Sequence, residues 1–415
     1  MSPNLQTIVR DENRPVTGPK RNPIDQAVVL SPFFWNFRDD MWQTTHHIAR
    51  ALSRRVPTVF VEPPVQWNPW SEEFRAHRVF DSCFRGRQKA AEPGLTVFHR
   101  RGFPLGRLEK FRRFQTTSNA RALARVLKKG AVGRRLLWHS FPYWSEPLMD
   151  AIDRGLFVYH CLDYSPREEE RRLVERADVV FCVSQALADK YKALNRRTFL
   201  LPNGVDLDLF DPGRAAGMPR PSDIPGRGPI LGFVGYVNCH ADLELLAKVA
   251  KAFPRHSVVI LGRVAKGHSG PQGRQREALR ELLSLANVHL LGFRPPCQLP
   301  AYLHAFDVCL IPLLRNRFNR ERDPMKFYQY MAMGKPVVTA PVPVARHYRD
   351  ACYVADTHDE FIEAVSHALA RQDGESNRQR RRAIAQAHSW PALVERAWRI
   401  IERRGGERGR EAIPE

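Results

Sequence analysis

Asp323-Pro324-Met325-Lys326-Phe327-Tyr328-Gln329-Tyr330-Met331-Ala332-Met333-Gly334-Lys335-Pro336-Val337-Val338 reads as a short helix feeding directly into a buried strand. Asp323 is a good N-cap, and Pro324 suits the first helical position. Gly334 suits a left-handed C-cap, and Pro336 forbids continuation. Phe327, Tyr330, Met331 and Gly334 recur at i, i+3, i+4 and i+7, the stripe of a core-facing helix. Lys326 is the discordant residue. In the first helical turn, a cation meets the positive end of the helix dipole. That conflict vanishes if an anion binds there, since free N–H groups and an ammonium together make a diphosphate site. The alternative is a lysine reaching out to solvent.

Outward from this stretch, short apolar runs alternate with segments of helical period. In the first half, strands are expected at 27–30, 58–61, 95–98, 136–138, 156–159 and 179–183, with helices at 41–53, 115–129 and 167–177 between them. The runs are almost continuously apolar, as in a parallel sheet covered on both faces. In the second half, strands are expected at 230–234, 258–261, 288–290, 308–311 and 337–339. Helices are expected at 242–252, 274–285, 299–305 and 324–333, with a helical tail from about 359 to 404. The alternation predicts an α/β chain of two Rossmann-like halves facing across a cleft. Its parts are a disordered tail (1–24), an N-terminal domain (25–204), a Pro- and Gly-rich linker (205–228), a C-terminal domain (229–390), and a final helix and tail (391–415) that can return to the N-terminal domain.

The chain has 415 residues, enough for two or three domains, and no apolar run of bilayer length. The first residues lack the apolar core of a secretory signal, so the expected location is cytoplasmic. Seven scattered cysteines without a C-x-x-C spacing read as buried hydrophobes. A net charge of +21 points to phosphates, an acidic bilayer face or nucleic acid, or else to a merely solvated surface. From Arg100 to Arg135 there are twelve Lys or Arg against one acid, Glu109, interleaved with Phe103, Leu105, Leu108, Phe111 and Phe114. Such a segment, with Arg107, Lys110, Arg112 and Arg113 at its centre, fits an anionic membrane surface. It also fits a helix that packs its aromatics inward.

The run P-x-K-x-Y-x-Y-x-A-x-G-K-P-V-V, preceded by Ala305-Phe306-Asp307-Val308-Cys309-Leu310-Ile311-Pro312, resembles the C-terminal domain of retaining GT-B fold glycosyltransferases of the family-4 type. Pro202-Asn203-Gly204-Val205-Asp206, the strand Ala177 to Ser184 and Phe233-Val234-Gly235 resemble further elements of that family in the same order. The resemblance implies that the C-terminal half holds a nucleotide diphospho-sugar and the N-terminal half an acceptor. Glu321 and Gln329 stand at the two positions of the family's E-x7-E motif, where the first meets the donor sugar and the second the ribose. Gln329 replaces the usual acid. Tyr236 and Ala241 stand where an Arg and a Lys often follow Gly235, so Arg263, Lys266 and Lys326 are expected to supply the charge on the diphosphate. His160 and Asp163 are expected at a strand's carboxyl end beside the transferred sugar, as catalytic residues with Glu321. His139, Phe33 and Trp35 are expected on the acceptor side, or as core residues. Asp206-Leu207-Asp208 spells D-x-D but follows a turn at the domain junction, and no metal or other cofactor is expected.

These readings point to a metal-independent glycosyltransferase of polysaccharide biosynthesis. The favoured donor is a UDP-sugar, with a GDP-sugar possible, and the acceptor is a lipid-linked or cell-surface glycan. The enzyme would be held peripherally at the inner face of the membrane and would not bind nucleic acid. The competing classes are a nucleotide-sugar epimerase of the same fold and a non-catalytic polyanion-binding relative.

Overall fold

In the computed structural model, the described residues are 24–35, 42–64, 88–100, 109–128, 134–142, 148–149, 152, 155–163, 165, 167–226, 228–370 and 374–404. They form an α/β protein with two Rossmann-like sheets. The first sheet contains β1 (Ile24–Leu30), β2 (Thr58–Val61), β3 (Gln88–Glu92), β4 (Leu95–Phe98), β5 (Arg134–His139), β6 (Leu156–Cys161), β7 (Val179–Cys182) and β8 (Thr198–Leu200). Their order is β3-β4-β2-β1-β5-β6-β7-β8, and only β3 runs antiparallel to its neighbour. The second contains β9 (Ile230–Val234), β10 (Ser257–Leu261), β11 (Val288–Gly292), β12 (Val308–Ile311), β13 (Val337–Thr339) and β14 (Tyr353–Val354), ordered β11-β10-β9-β12-β13-β14 and parallel throughout. Strand order reverses between β9 and β12. A crevice outside the carboxyl ends of such a pair is where open α/β sheets bind ligands.

Apolar residues on both faces of each sheet are buried, which explains the unbroken hydrophobicity of the strands. β3, β8 and β14 have no counterpart in the expected strands. β3 is a largely exposed polar edge, and β14 is two residues long, so neither carries an apolar pattern.

Two expectations are corrected. The segment 205–228 is not a loose linker. It contains the helix Pro212–Ala216, and Val205, Phe210, Ala215 and Ile224 lie in the C-terminal core. Asp323 does not cap the helix that follows it. That helix runs Met325–Ala332 with Pro324 at its N-cap position and no side-chain cap, because the Asp323 carboxylate is engaged elsewhere, as described below. Phe327, Tyr330 and Met331 are fully buried, and Gly334 has φ 68°, in the left-handed region.

The chain crosses between domains twice. After Gly204 it enters the C-terminal domain, and at Ser389 it returns. The two crossings lie side by side: the Val205 N–H donates to the His388 carbonyl at 3.0 Å, and the Trp390 N–H to the Val205 carbonyl at 3.3 Å. The last helix, Trp390–Arg404, then buries Trp390, Leu393, Val394, Ala397, Trp398 and Ile401 in the core of the first domain. At roughly 1.5–3 kcal/mol per buried large apolar side chain, this helix contributes substantially to the N-terminal domain. No described helix is long and apolar enough to cross a membrane.

Candidate functional site

At the carboxyl end of β9 the chain turns at Gly235, whose φ of 145° favours glycine. A side chain there would also strike the Lys326 ammonium, and one at Gly262 would strike the Gly235 carbonyl. Glycine at both positions lets the loops after β9 and β10 close on each other. Backbone bonds fasten them: Gly235 N–H to the Leu261 carbonyl at 2.8 Å, Val237 N–H to that of Arg263 at 3.0 Å, and Ala265 N–H to that of Val237 at 2.9 Å. Tyr330, buried in the helix Met325–Ala332, accepts a bond from the Val234 N–H at 2.9 Å and so ties that helix to the end of β9.

Lys326 stands over this junction, its Nζ 4.4 Å from the centroid of Phe233. It does not simply extend into solvent. Burial, and secondarily the charge of Arg322, hold its ammonium down to about 7. A cation at the N-terminal turn of a helix, crowded by a second cation, calls for an anion.

Arg322 was not among the expected site residues. Its guanidinium lies 5.5 Å from the centroid of Phe318, and Phe318 stacks on His240 with centroids 4.1 Å apart. His240 is lowered first by burial and then by the Arg322 charge. Across the cleft, burial raises the Asp163 carboxyl, and Arg322 opposes that shift. Thus Arg322 acts on groups from both domains. Sitting between Glu321 and Asp323, it reads in sequence as one more surface charge. His240 follows Gly235 by five residues, and only its distance from the helix in sequence hides it.

Glu321 belongs to the same edge. Its carbonyl accepts from Ser184 Oγ of the N-terminal domain at 2.6 Å, and its Oε1 accepts from Arg317 Nε at 3.0 Å. Its Oε2 is buried with no partner among the described residues. Gln329 is half-buried one turn after Lys326, and Tyr236 is 46% exposed beside Gly235. Arg263 and Lys266 are exposed in the loop after β10, with the Arg263 guanidinium 4.6 Å from the centroid of Phe293. The structure therefore sets Lys326 against Gly235, with Tyr236 next to Gly235 and Glu321 next to Arg322 in the chain, and carries Arg263 and Lys266 on the loop after β10.

Three other expected residues lie elsewhere. His160 is inside β6 rather than beyond its end, with no exposed surface. It packs edge-on to Trp138 at 5.6 Å, its Nε2 lies 3.3 Å from the Leu201 carbonyl, and burial pushes it down to about 4. That is a neutral core histidine, not one lining the cleft. His139 is equally enclosed, and burial pushes it to about 3. Trp35 is 8% exposed and packed among Trp42, His46 and Phe60. Phe33 remains half-buried, edge-to-face with Phe141 at 5.6 Å. Asp206 Oδ1 accepts from the N–H groups of Asp208 and Leu209, so the D-x-D carboxylate caps its own turn.

In the N-terminal domain, the helix Glu109–Lys128 exposes Lys110 and Arg113 together with Phe111 and Phe114, which are 43% and 61% exposed. Arg107 and the side chain of Arg112 lie outside the described residues, as do Phe103, Leu105 and Leu108.

Comparison with known proteins bears on this geometry. Residues 228–371 match the family model described as glycosyl transferases group 1. The chain is 27% identical over 288 residues to the "Putative teichuronic acid biosynthesis glycosyltransferase TuaH" of Bacillus subtilis (strain 168), covering 63% of this chain and 70% of that protein. It is 30% identical over 283 residues to the D-inositol 3-phosphate glycosyltransferase of Geodermatophilus obscurus, covering 62% of this chain and 61% of that protein. In fold it is similar to Anabaena Alr3699/HepE, solved in complex with UDP and glucose, with a TM-score of 0.61, 16% identity, and coverage of 91% of this chain and all of that one.

Proposed function

We propose that this chain is a group 1 glycosyltransferase of GT-B fold that moves a sugar from a nucleotide diphospho-sugar, preferably a UDP-sugar, to a lipid-linked or cell-surface glycan. The observation that carries the reading is the Lys326 ammonium poised above Gly235 at the strand-order reversal. The donor diphosphate lies there, against the free N–H groups of the helix Met325–Ala332. Lys326 and Arg322 stabilise the charge that develops on the leaving diphosphate, without a metal ion. Arg263 and Lys266 add charge from the neighbouring loop. The neutral amide of Gln329 meets the ribose, and the unpaired Glu321 oxygen meets a hydroxyl of the donor sugar. The reaction proceeds with retention.

Asp163 replaces His160 as the group from the N-terminal domain that reaches the reacting sugar, because Asp163 faces Arg322 while His160 is enclosed. The glycan named for one relative and the UDP bound in one structural neighbour support the choice of donor and acceptor class. The exposed aromatics and cations of the helix Glu109–Lys128 hold the enzyme at an anionic membrane face.

The test is thermal stabilisation of the purified protein across UDP-, GDP- and dTDP-sugars. A shift with one of them is expected, and it should vanish in Lys326→Ala. Silence across the whole panel would sink the proposal. Donor turnover without acceptor would favour an epimerase instead.

A further inference from the structure

Beside the donor crevice, a second groove of about 320 Å³ opens at the carboxyl ends of β12 and β13. Its floor is apolar, with Leu313, Ala340 and Val342 almost fully buried. Its rim carries three guanidiniums, those of Arg315, Arg320 and Arg346. Arg346 donates to Asp356 Oδ1 at 2.7 Å, and Arg315 donates to the Asp356 carbonyl at 2.6 Å with its second nitrogen 3.7 Å from the same carboxylate oxygen. Arg320 is exposed and has no acidic partner among the described residues. Asp356 therefore offsets one of three positive charges.

The wall of the groove is bonded to the loop that follows β9. Leu314 N–H donates to the His240 carbonyl at 3.0 Å, and Asn319 Nδ2 donates to the same carbonyl at 3.0 Å. Asn319 Oδ1 is left buried at this wall without a partner among the described residues.

We infer that the groove binds an acidic saccharide, the ring lying on the apolar floor and its carboxylate or phosphate on the arginines. A guanidinium fork matches the planar or tetrahedral oxygens of either anion. The apolar floor distinguishes such a ligand from a bare ion, because a free phosphate has no carbon face to bury. This binding does not depend on the donor-site reading above.

The test is calorimetric titration of the full chain at low salt with trigalacturonate, glucose 6-phosphate, maltotriose and inorganic phosphate. At least one acidic sugar should bind, about tenfold or more tighter than maltotriose and than inorganic phosphate. Whichever of the two acidic sugars binds more tightly identifies the anion. Arg320→Ala should weaken that binding roughly tenfold and leave the UDP thermal shift unchanged. Equal binding of maltotriose, equal binding of bare phosphate, an unaffected Arg320→Ala variant, or displacement of the acidic sugar by UDP would each overturn the inference. If the acidic sugar binds but no nucleotide does, the groove stands and the donor-site reading falls.

Discussion

The backbone N–H of Asn203 donates to Asp323 Oδ2 at 2.6 Å, while the Asn203 side chain returns a bond from Nδ2 to the Asp323 carbonyl at 2.7 Å. This exchange joins the two domains just ahead of the helix Met325–Ala332. Tyr328 adds its hydroxyl to the same carboxylate at 3.1 Å. Replacing Asp323 by Ala leaves buried donors unpaired and should cost about 1–3 kcal/mol, read as a lower urea midpoint. Burial, its leading cause, lifts this carboxyl to about 7, although the Asn203 and Tyr328 bonds oppose it. The folded value is above the unfolded one. Its stabilising contribution is therefore complete below about pH 4 and is lost as pH rises through 7. Asp323→Asn should remove that component from the pH–stability profile.

Lys326 gives two readouts of opposite sign. Its folded pKa is lowered, so the unliganded protein gains stability from this group as pH rises from about 7 to 10.5. An anion favours the ammonium, so UDP affinity should instead fall as pH rises above 7. Lys326→Met should raise the melting temperature of the free protein at pH 6.5 and abolish the UDP-dependent shift. A parallel loss of both would show a structural lysine.

Gly235→Ala should displace the Lys326 ammonium and force a non-glycine residue to φ 145°. The expected cost is about 1–3 kcal/mol of stability. UDP affinity should fall more than in a control variant matched for stability.

His160→Ala tests whether the enclosed histidine of β6 is structural. A cavity and a lost buried contact should lower stability by about 1–3 kcal/mol. UDP binding per folded molecule should be unchanged, and turnover should fall only with the folded fraction. A drop in kcat at full occupancy and full folding would return His160 to the chemistry.

Phe111→Ser combined with Phe114→Ser removes the two exposed rings of the basic helix. Each ring is worth roughly 1.5–3 kcal/mol when buried in an interface. Co-sedimentation with phosphatidylglycerol vesicles should drop at least tenfold, with the UDP shift intact. Unchanged sedimentation would remove the membrane assignment.

The sheets were legible because their strands are apolar on both sides, and the helix Met325–Ala332 because its core stripe and terminal Gly334 are local signals. What escaped was non-local. Asp323 looks like a cap until Asn203, 120 residues away, claims its carboxylate. His160 was placed past a strand that in fact extends to Cys161, and residues inside a strand point alternately to opposite faces. Arg322 reads as an ordinary charge among charges. Only the folded chain shows that His240, Phe318, Asp163 and Lys326 surround it. Lys326 was the exception: its conflict with the helix dipole is written in neighbouring residues.

The paired crossings at Val205 and Ser389 decide how the cleft can open. Two ribbons bonded edge to edge flex together about a shared line but resist sliding past each other or winding about one another. A side chain at Gly204 would strike the His388 carbonyl and the Trp390 ring, so the ribbons have no slack at that point. A rotation of one half about that shared line changes the gap between Asp163 and Arg322, and it must also break the bonds of Asn203 to Asp323 and of Ser184 to Glu321 wherever they cross the gap.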